Sequence, residues 1–309
     1  MDATEDELIR CSEEVAEALA TGAPVVALES SIIAQGFPRP ENRELASAMV
    51  AAVRDGGAVP AVTAVADGRI ELGGDADLLD RLALQDCAKC GARDLAVRLR
   101  DGGLGATTVS ATARIAAAVG MRVFATGGIG GVHRPSIDET APRFDISADL
   151  LELSRSAVIV VSSGAKVILD LPATLEALEA LGVPVLGYRC EEFPAFFTAV
   201  SGLSVNHRIE EIAQAAAIAR DHWRLGGAGL LLCNPPPTDE ALPAEQVKAW
   251  VETALRSAER DGIAGAAITP YLLQCVRDLS EGRSLSVNRA LALSNARLGA
   301  DLAKALSAA

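Results

Sequence analysis

Ala157-Val-Ile-Val-Val161, Ser162-Ser-Gly-Ala-Lys166 and Ile168-Leu-Asp-Leu-Pro-Ala-Thr-Leu-Glu-Ala-Leu178 follow one another as a strand-like run, a turn and a helix-like stretch. β-Branched residues in an unbroken apolar run read as a buried strand, whereas the later leucines recur at helical spacing. The same alternation extends in both directions. Pro24-Val-Val-Ala-Leu28, Val62-Thr-Ala-Val65, Val123-Phe-Ala-Thr126, Val183-Pro-Val-Leu186 and Gly229-Leu-Leu-Leu232 read as further strands, and helix-like stretches stand at 5–19, 45–53, 111–119, 172–181 and 209–220. Strands alternating with helices predict an α/β fold with three α/β/α layers. The hairpin-like turns Ala66-Asp-Gly-Arg69 and Leu72-Gly-Gly-Asp75 predict that its sheet is mixed.

No linker rich in Ser, Gly and Pro divides the 309 residues, so a single domain over 1–309 is expected. Half of the residues are hydrophobic, which suffices for a core. The 41 acidic against 28 basic residues leave a net charge of −13, which repels polyanions, and only 3% of residues are aromatic. Together these exclude nucleic acid as a general partner. No apolar run reaches the ~18 residues that span a bilayer. Met1-Asp-Ala-Thr-Glu-Asp-Glu has neither the basic start nor the apolar core of a signal peptide, so a cytoplasmic protein is expected. In that compartment the cysteines at 11, 87, 90, 190, 233 and 275 are expected as thiols. Cys87-Ala-Lys-Cys90 has the spacing of half a zinc site, with no second pair to complete it.

Lys166 ends the turn after its strand, where open α/β sheets keep their ligands. An amine placed there among Val161, Val167 and Ile168 is a candidate Schiff-base former; the alternative is a surface lysine at a helix start. Glu29 projects from the end of another strand, either as a general acid and base or as an acid steadying the turn Ser30-Ser-Ile-Ile-Ala-Gln-Gly36. Asp145-Ile-Ser-Ala-Asp149 brings two carboxylates within one helical turn, which suits either a hard cation or a helix cap. Gly102-Gly-Leu-Gly-Ala-Thr-Thr-Val109 and Ala125-Thr-Gly-Gly-Ile-Gly-Gly-Val-His-Arg134 are open between phosphate-binding loops and tight turns; neither is a dinucleotide or Walker motif. Ser163-Gly-Ala-Lys166 also fits the loose S-x-x-K pattern of acyl-transfer enzymes, which would make Ser163 the nucleophile, although no Ser-Asp-Asn or Lys-Thr-Gly follows.

Read in order, Ala27-Leu-Glu-Ser-Ser-Ile-Ile-Ala-Gln-Gly-Phe-Pro38, Thr126-Gly-Gly-Ile-Gly-Gly-Val-His-Arg134, Asp145-Ile-Ser-Ala-Asp-Leu150, Gly164-Ala-Lys-Val-Ile-Leu-Asp170, Phe193-Pro-Ala-Phe196 and Ser284-Leu-Ser-Val-Asn-Arg-Ala-Leu291 resemble the pseudouridine-5'-phosphate glycosidase family, also called indigoidine synthase A-like. The resemblance runs from about Pro24 to Leu302. It implies a carbon–oxygen lyase that reversibly converts pseudouridine 5'-phosphate and water to uracil and ribose 5-phosphate, with a manganese ion in the site. Because the bond broken joins two carbons, protonating a heteroatom leaving group is no route. An amine that attacks C1' opens the ribose ring and leads to an imine as uracil departs and is protonated at C5.

By the same resemblance Lys166 is the nucleophile, Glu29 the proton donor and acceptor, and Asp145 the metal ligand. Ser147, Ala148 and Asp149 line the substrate, Lys89, Thr108 and Val109 complete its binding, and Asn288 meets the base or sugar. A homotrimer is implied as well. The sequence departs from the family pattern at Pro135-Ser-Ile-Asp-Glu-Thr-Ala-Pro142, which is longer, at Lys89-Cys-Gly-Ala-Arg-Asp-Leu95, and at Ser162, Ser163 and Val167 around the lysine. Two other readings stay beside this one: a Ser163 hydrolase with Lys166 as base, and a non-catalytic sugar-phosphate binder.

Overall fold

Runs of valine, leucine and alanine become strands buried along their length, which requires helices on both faces of the sheet. The structure is a computed structural model that describes residues 8–134, 145–263 and 267–308. In chain order its elements are β1 (Ile9–Cys11), α1 (Glu13–Thr21), β2 (Val25–Leu28), α2 (Ser31–Gln35), α3 (Glu41–Asp55), β3 (Val59–Ala66), β4 (Arg69–Gly73), α4 (Ala76–Leu84), β5 (Ala88–Cys90), α5 (Leu95–Asp101), β6 (Gly105–Thr107), α6 (Val109–Ala118), β7 (Val123–Ala125), α7 (Ala148–Leu153), β8 (Ile159–Ser162), α8 (Leu171–Ala180), β9 (Val185–Tyr188), β10 (His207–Ile209), α9 (Ile212–Arg224), β11 (Leu230–Cys233), α10 (Ala244–Arg260), α11 (Ile268–Leu279) and α12 (Arg283–Ser307).

The spine of the sheet is parallel, in the order β3-β2-β7-β8-β11-β9-β10. β4 and β6 run antiparallel to β3, with β1 beside β4 and β5 beside β6. The sheet is therefore mixed, as expected. Val26 pairs with Val123, and Gly299 of α12 packs against Val26, Val123 and Ala125. Thr63 is the residue after Val62, which pairs with Leu28, so it points to the opposite face. There its hydroxyl meets that of Thr112 on α6 at 2.9 Å. Helices α12 and α6 thus sandwich the sheet, giving the three layers.

Local chemistry explains where the elements start and stop. The Asp170 side chain accepts from Ala173 N and caps α8, with proline in its first turn. The helix consequently begins later than the run from Ile168 suggested, and Lys166 lies in the connecting turn. Ala66-Asp-Gly-Arg69 is the expected hairpin between β3 and β4, with Asp67 at φ 54° and Gly68 at φ 76°. Leu72-Gly-Gly-Asp75 is not one: it leads into α4, which Asp75 caps through Leu78 N. The helix expected over 5–19 divides into β1 and α1 because Ser12 caps the latter at Val15 N. The longer loop at 135–142 lies outside the described residues.

Candidate active site

Three neighbouring strands, β2, β7 and β8, end side by side, with Leu28 beside Ala125 and Ala125 beside Val161. The residues that follow them carry the chemistry. Glu29 and Thr126 leave β2 and β7, and Lys166 comes from the turn after β8. They open onto a cavity of about 430 Å³ whose wall also includes Lys89, Asn288, Phe196 and Phe197, with Leu273, Gln274 and Arg277 of α11 across from the sheet. This is the carboxyl edge where open α/β sheets bind ligands.

Glu29 is 6% exposed. The Ser31 hydroxyl donates to its Oε2 and the Thr126 hydroxyl to its Oε1. Burial pushes the Glu29 carboxyl above the usual carboxylate range, while the Lys166 charge and the two hydroxyl donors pull it back and Asp149 pushes it further up. The Lys166 main-chain N–H donates to Ile129 O at 3.1 Å, while its ammonium has no hydrogen-bond or ion-pair partner among the described residues. Lys89 remains exposed, so its desolvation is partial; that desolvation, followed by the Lys166 charge, holds its ammonium below the usual lysine range against the pull of Asp149 and Glu29.

Glycines bring this geometry together. Gly164 adopts φ +69°, and a Cβ there would lie 1.9 Å from Pro194 O. Gly130 lets Ser147 and Asp149 approach to where a Cβ would stand. The Gly130 amide is already used, donating to Asp149 Oδ2 at 2.9 Å. At this glycine the stretch after β7 is thus a close-packing strip and not a phosphate cradle. Phe196, at φ 60°, packs its ring over Gly128 and donates its amide to Ser163 O at 3.1 Å.

The cavity wall gathers Glu29, Lys89, Lys166 and Asn288. Asn288 Oδ1 is buried there without a hydrogen-bond partner among the described residues, an acceptor that a ligand donor can satisfy. Thr108, Val109, Ser147, Ala148 and Asp149 stand outside that wall, at the N-termini of α6 and α7. Asp149 ties these two termini together, because its Oδ1 accepts from Ser110 N and its Oδ2 from Gly130 N, both at 2.9 Å. Ser147 caps α7 by accepting from Asp149 N at 3.2 Å.

The expected manganese site is corrected by this arrangement. Among the described residues no group of three or more His, Cys, Asp and Glu side chains could hold a metal ion. Asp149 is buried with both carboxylate oxygens committed to backbone amides, and Asp145 is exposed, so the two do not form the paired hard-oxygen site that their spacing suggested. Asp145 loses its role as a metal ligand. The cysteines are free, and burial pushes the Cys87 and Cys90 thiols up to about 11.

Ser163 is 0% exposed and its Oγ lies 3.3 Å from Asn295 Nδ2, so a substrate has no approach to it as a nucleophile. Sequence reasoning passed over Ser31 and Thr126, although both stand inside the quoted motifs; a hydroxyl beside a strand-end acid was the available signal for Ser31, whereas Thr126 reaches Glu29 from a distant segment. It also passed over Asn295 and Asn234, single amides in apolar contexts that carry no local signature.

The indigoidine synthase A like protein family matches residues 14–305. A pseudouridine-5'-phosphate glycosidase of Sorangium cellulosum (strain So ce56) is 49% identical over 298 residues, covering 96% of this chain and 93% of the relative. One from Paracoccus denitrificans (strain Pd 1222) is 50% identical and covers 97% of this chain and 99% of its own. Among solved structures, the prealnumycin C-glycosynthase AlnA in complex with ribulose 5-phosphate superposes with a TM-score of 0.90 at 41% identity, over 98% of both chains. On the strength of a match along almost its whole length, the chain belongs to the indigoidine synthase A-like family.

Proposed function

We infer that the chain is a pseudouridine-5'-phosphate glycosidase, which cleaves the C–C bond between C1' of the sugar and C5 of uracil and can run the same reaction in reverse. The observation that carries this reading is the meeting of Glu29 and Lys166 in one cavity, at the ends of β2 and β8, the strands on either side of β7. The identity of the relatives supports it.

In this reading the Lys166 amine attacks C1', a C–N bond forms, and the C1'–O4' bond breaks. Glu29, whose carboxyl burial pushes above the usual carboxylate range, gives O4' its proton. The nitrogen lone pair then forms the imine as the C1'–C5 electron pair leaves with uracil, which takes a proton at C5. Water adds to the imine, restoring the amine and releasing ribose 5-phosphate. Lys89 supplies the charge for the phosphate, despite the acidic surface. Thr108, Val109, Ser147, Ala148 and Asp149 act around it by fixing the helix termini, and Asn288 offers its unpartnered amide oxygen to the base or sugar. Aromatic Phe196 and Phe197, with ring centroids 4.7 Å apart, give the base an apolar wall.

A homotrimer in the cytoplasm completes the reading. Exposed Val97, Val200 and Leu225 supply apolar surface for subunit contacts, and no helix among the described residues is long and apolar enough to cross a membrane. Light scattering on the purified protein reads the assembly.

The activity is tested by incubating the enzyme with pseudouridine 5'-phosphate and following uracil; no uracil would sink the assignment. Borohydride added with ribose 5-phosphate should leave a ribityl phosphate mass on Lys166, and a Lys166→Ala variant that still traps would remove that residue's role.

A further inference from the structure

Asn295 lies on α12, one turn beyond Leu291 and two beyond Asn288, and is 0% exposed. Its Nδ2 donates to Thr126 O at 2.8 Å and contacts Ser163 Oγ at 3.3 Å and Gly127 O at 3.4 Å. A carbonyl can only accept, so this contact fixes which way the amide faces. Asn295 Oδ1 then accepts from Asn234 Nδ2 at 2.9 Å, and Asn234 Nδ2 also reaches Ser294 Oγ at 3.0 Å. The Asn234 main chain donates to Ser162 O at 2.8 Å. One buried amide pair therefore joins α12 to the ends of β7, β8 and β11.

What lies beyond the pair is the acid. Thr126 takes Asn295 on its carbonyl and gives its hydroxyl to Glu29 Oε1. On the other arm, Ser163 donates its amide to Gly127 O, within the turn that delivers Lys166. We propose that Asn295 is a positioning residue for the Glu29 acid–base, acting through the Thr126 peptide to hold the Thr126 hydroxyl on the carboxylate. Asn295 itself does not line the cavity, and reaches it through Thr126 and Gly127, which do. Its amide faces the Thr126 and Gly127 carbonyls, Ser163 Oγ and the Asn234 amide, so a leucine of similar size removes the hold on the Thr126 peptide while filling the space.

The proposal deepens the glycosidase reading and rests on Glu29 as its acid, but it is tested without substrate. The groups whose charges act on Glu29 are Lys166 from the turn after β8, Asp149 on α7 and Lys89 on β5; none of them changes in the variants. The readout is the folded-state midpoint, the pH above which the stability curves of wild type and Glu29→Gln run parallel again, measured by denaturant unfolding of the full chain. In an Asn295→Leu background the freed hydroxyl no longer favours the carboxylate, so the midpoint should move up by about half to one pH unit, roughly three- to tenfold in the acid constant. Thr126→Val should move it as far, and adding Asn295→Leu to Thr126→Val should move it no further. A lower stability with an unmoved midpoint, or shifts that add in the double variant, would overturn the proposal. Should Asn295→Leu fail to fold, Asn234→Ala is read the same way: a raised midpoint supports the hold and an unmoved one refutes it. Absence of uracil release would refute the glycosidase reading and leave this titration standing.

Discussion

Replacing Glu29 with glutamine should favour the folded protein increasingly as pH rises from 4.5 to the raised folded-state value of the carboxyl. The folded-state carboxyl sits above its ordinary value of 4.5 because it is buried. Between 4.5 and the raised value the unfolded chain has released its proton while the folded chain keeps it. Stability therefore falls in that window as pH rises, by about 1.4 kcal/mol for each pH unit. Glutamine has no such proton to retain. It keeps the shape, offers its oxygen to one of the two hydroxyls, and can donate its amide to the other. At about 2.1 cal/mol/K of unfolding entropy per residue, a chain of 309 residues converts each 1.4 kcal/mol to about 2 °C in Tm. Denaturant titrations of both proteins from pH 4 to 8 should show curves that differ by a constant below 4.5, separate above it in favour of Glu29→Gln, and run parallel again past the folded value. A difference that stays flat across the whole range would mean that Glu29 is not held protonated, and would take the general-acid assignment with it.

Lys89→Met should raise the KM for ribose 5-phosphate in the reverse reaction by about 10- to 100-fold, the worth of a charge-assisted contact; an unchanged KM would remove Lys89 from phosphate binding. Gly164→Ala should lower Tm by at least about 1.5–3 °C, since a left-handed backbone costs about 1–2 kcal/mol before the clash with Pro194 O is counted. Differential scanning calorimetry checks this, and a Tm equal to wild type would show that the turn before Lys166 has another conformation open to it. Fluorophosphonate should leave Ser163 unlabelled by mass spectrometry, because that hydroxyl is enclosed; a modified Ser163 would revive the acyl-transfer mechanism.

The layers of the fold were legible because strands buried on both faces have a composition that little else shares. Val158 to Val161 and the leucines after Pro172 left no other assignment. Short elements escaped for the opposite reason. β1 holds three residues of mixed polarity and is itself an edge strand beside β4, so its existence depends on a partner far along the chain. Within the site, Glu29, Lys166 and Asn288 were found through long colinear motifs and Lys89 through the family resemblance in a segment that departs from its pattern, and all four line one cavity. The spacing of Asp145 and Asp149 misled, since four residues apart says nothing of burial, and burial with two backbone donors decided what Asp149 does. Asn295 was invisible because its partners are carbonyls and a serine contributed by distant segments.

That α12 contributes both Asn288 to the cavity and Asn295 to the strand ends bears on how the enzyme comes to life. Glu29 is among the first described residues and α12 holds the last, so the two edges of the site are brought together only by long-range closure of the chain. A sheet without α12 would still carry Glu29 and Lys166, but its cavity would lack a wall and the Thr126 peptide its anchor. Recovery of trapping at Lys166 during refolding should thus coincide with the last cooperative phase, which makes the Schiff base a reporter of completed folding.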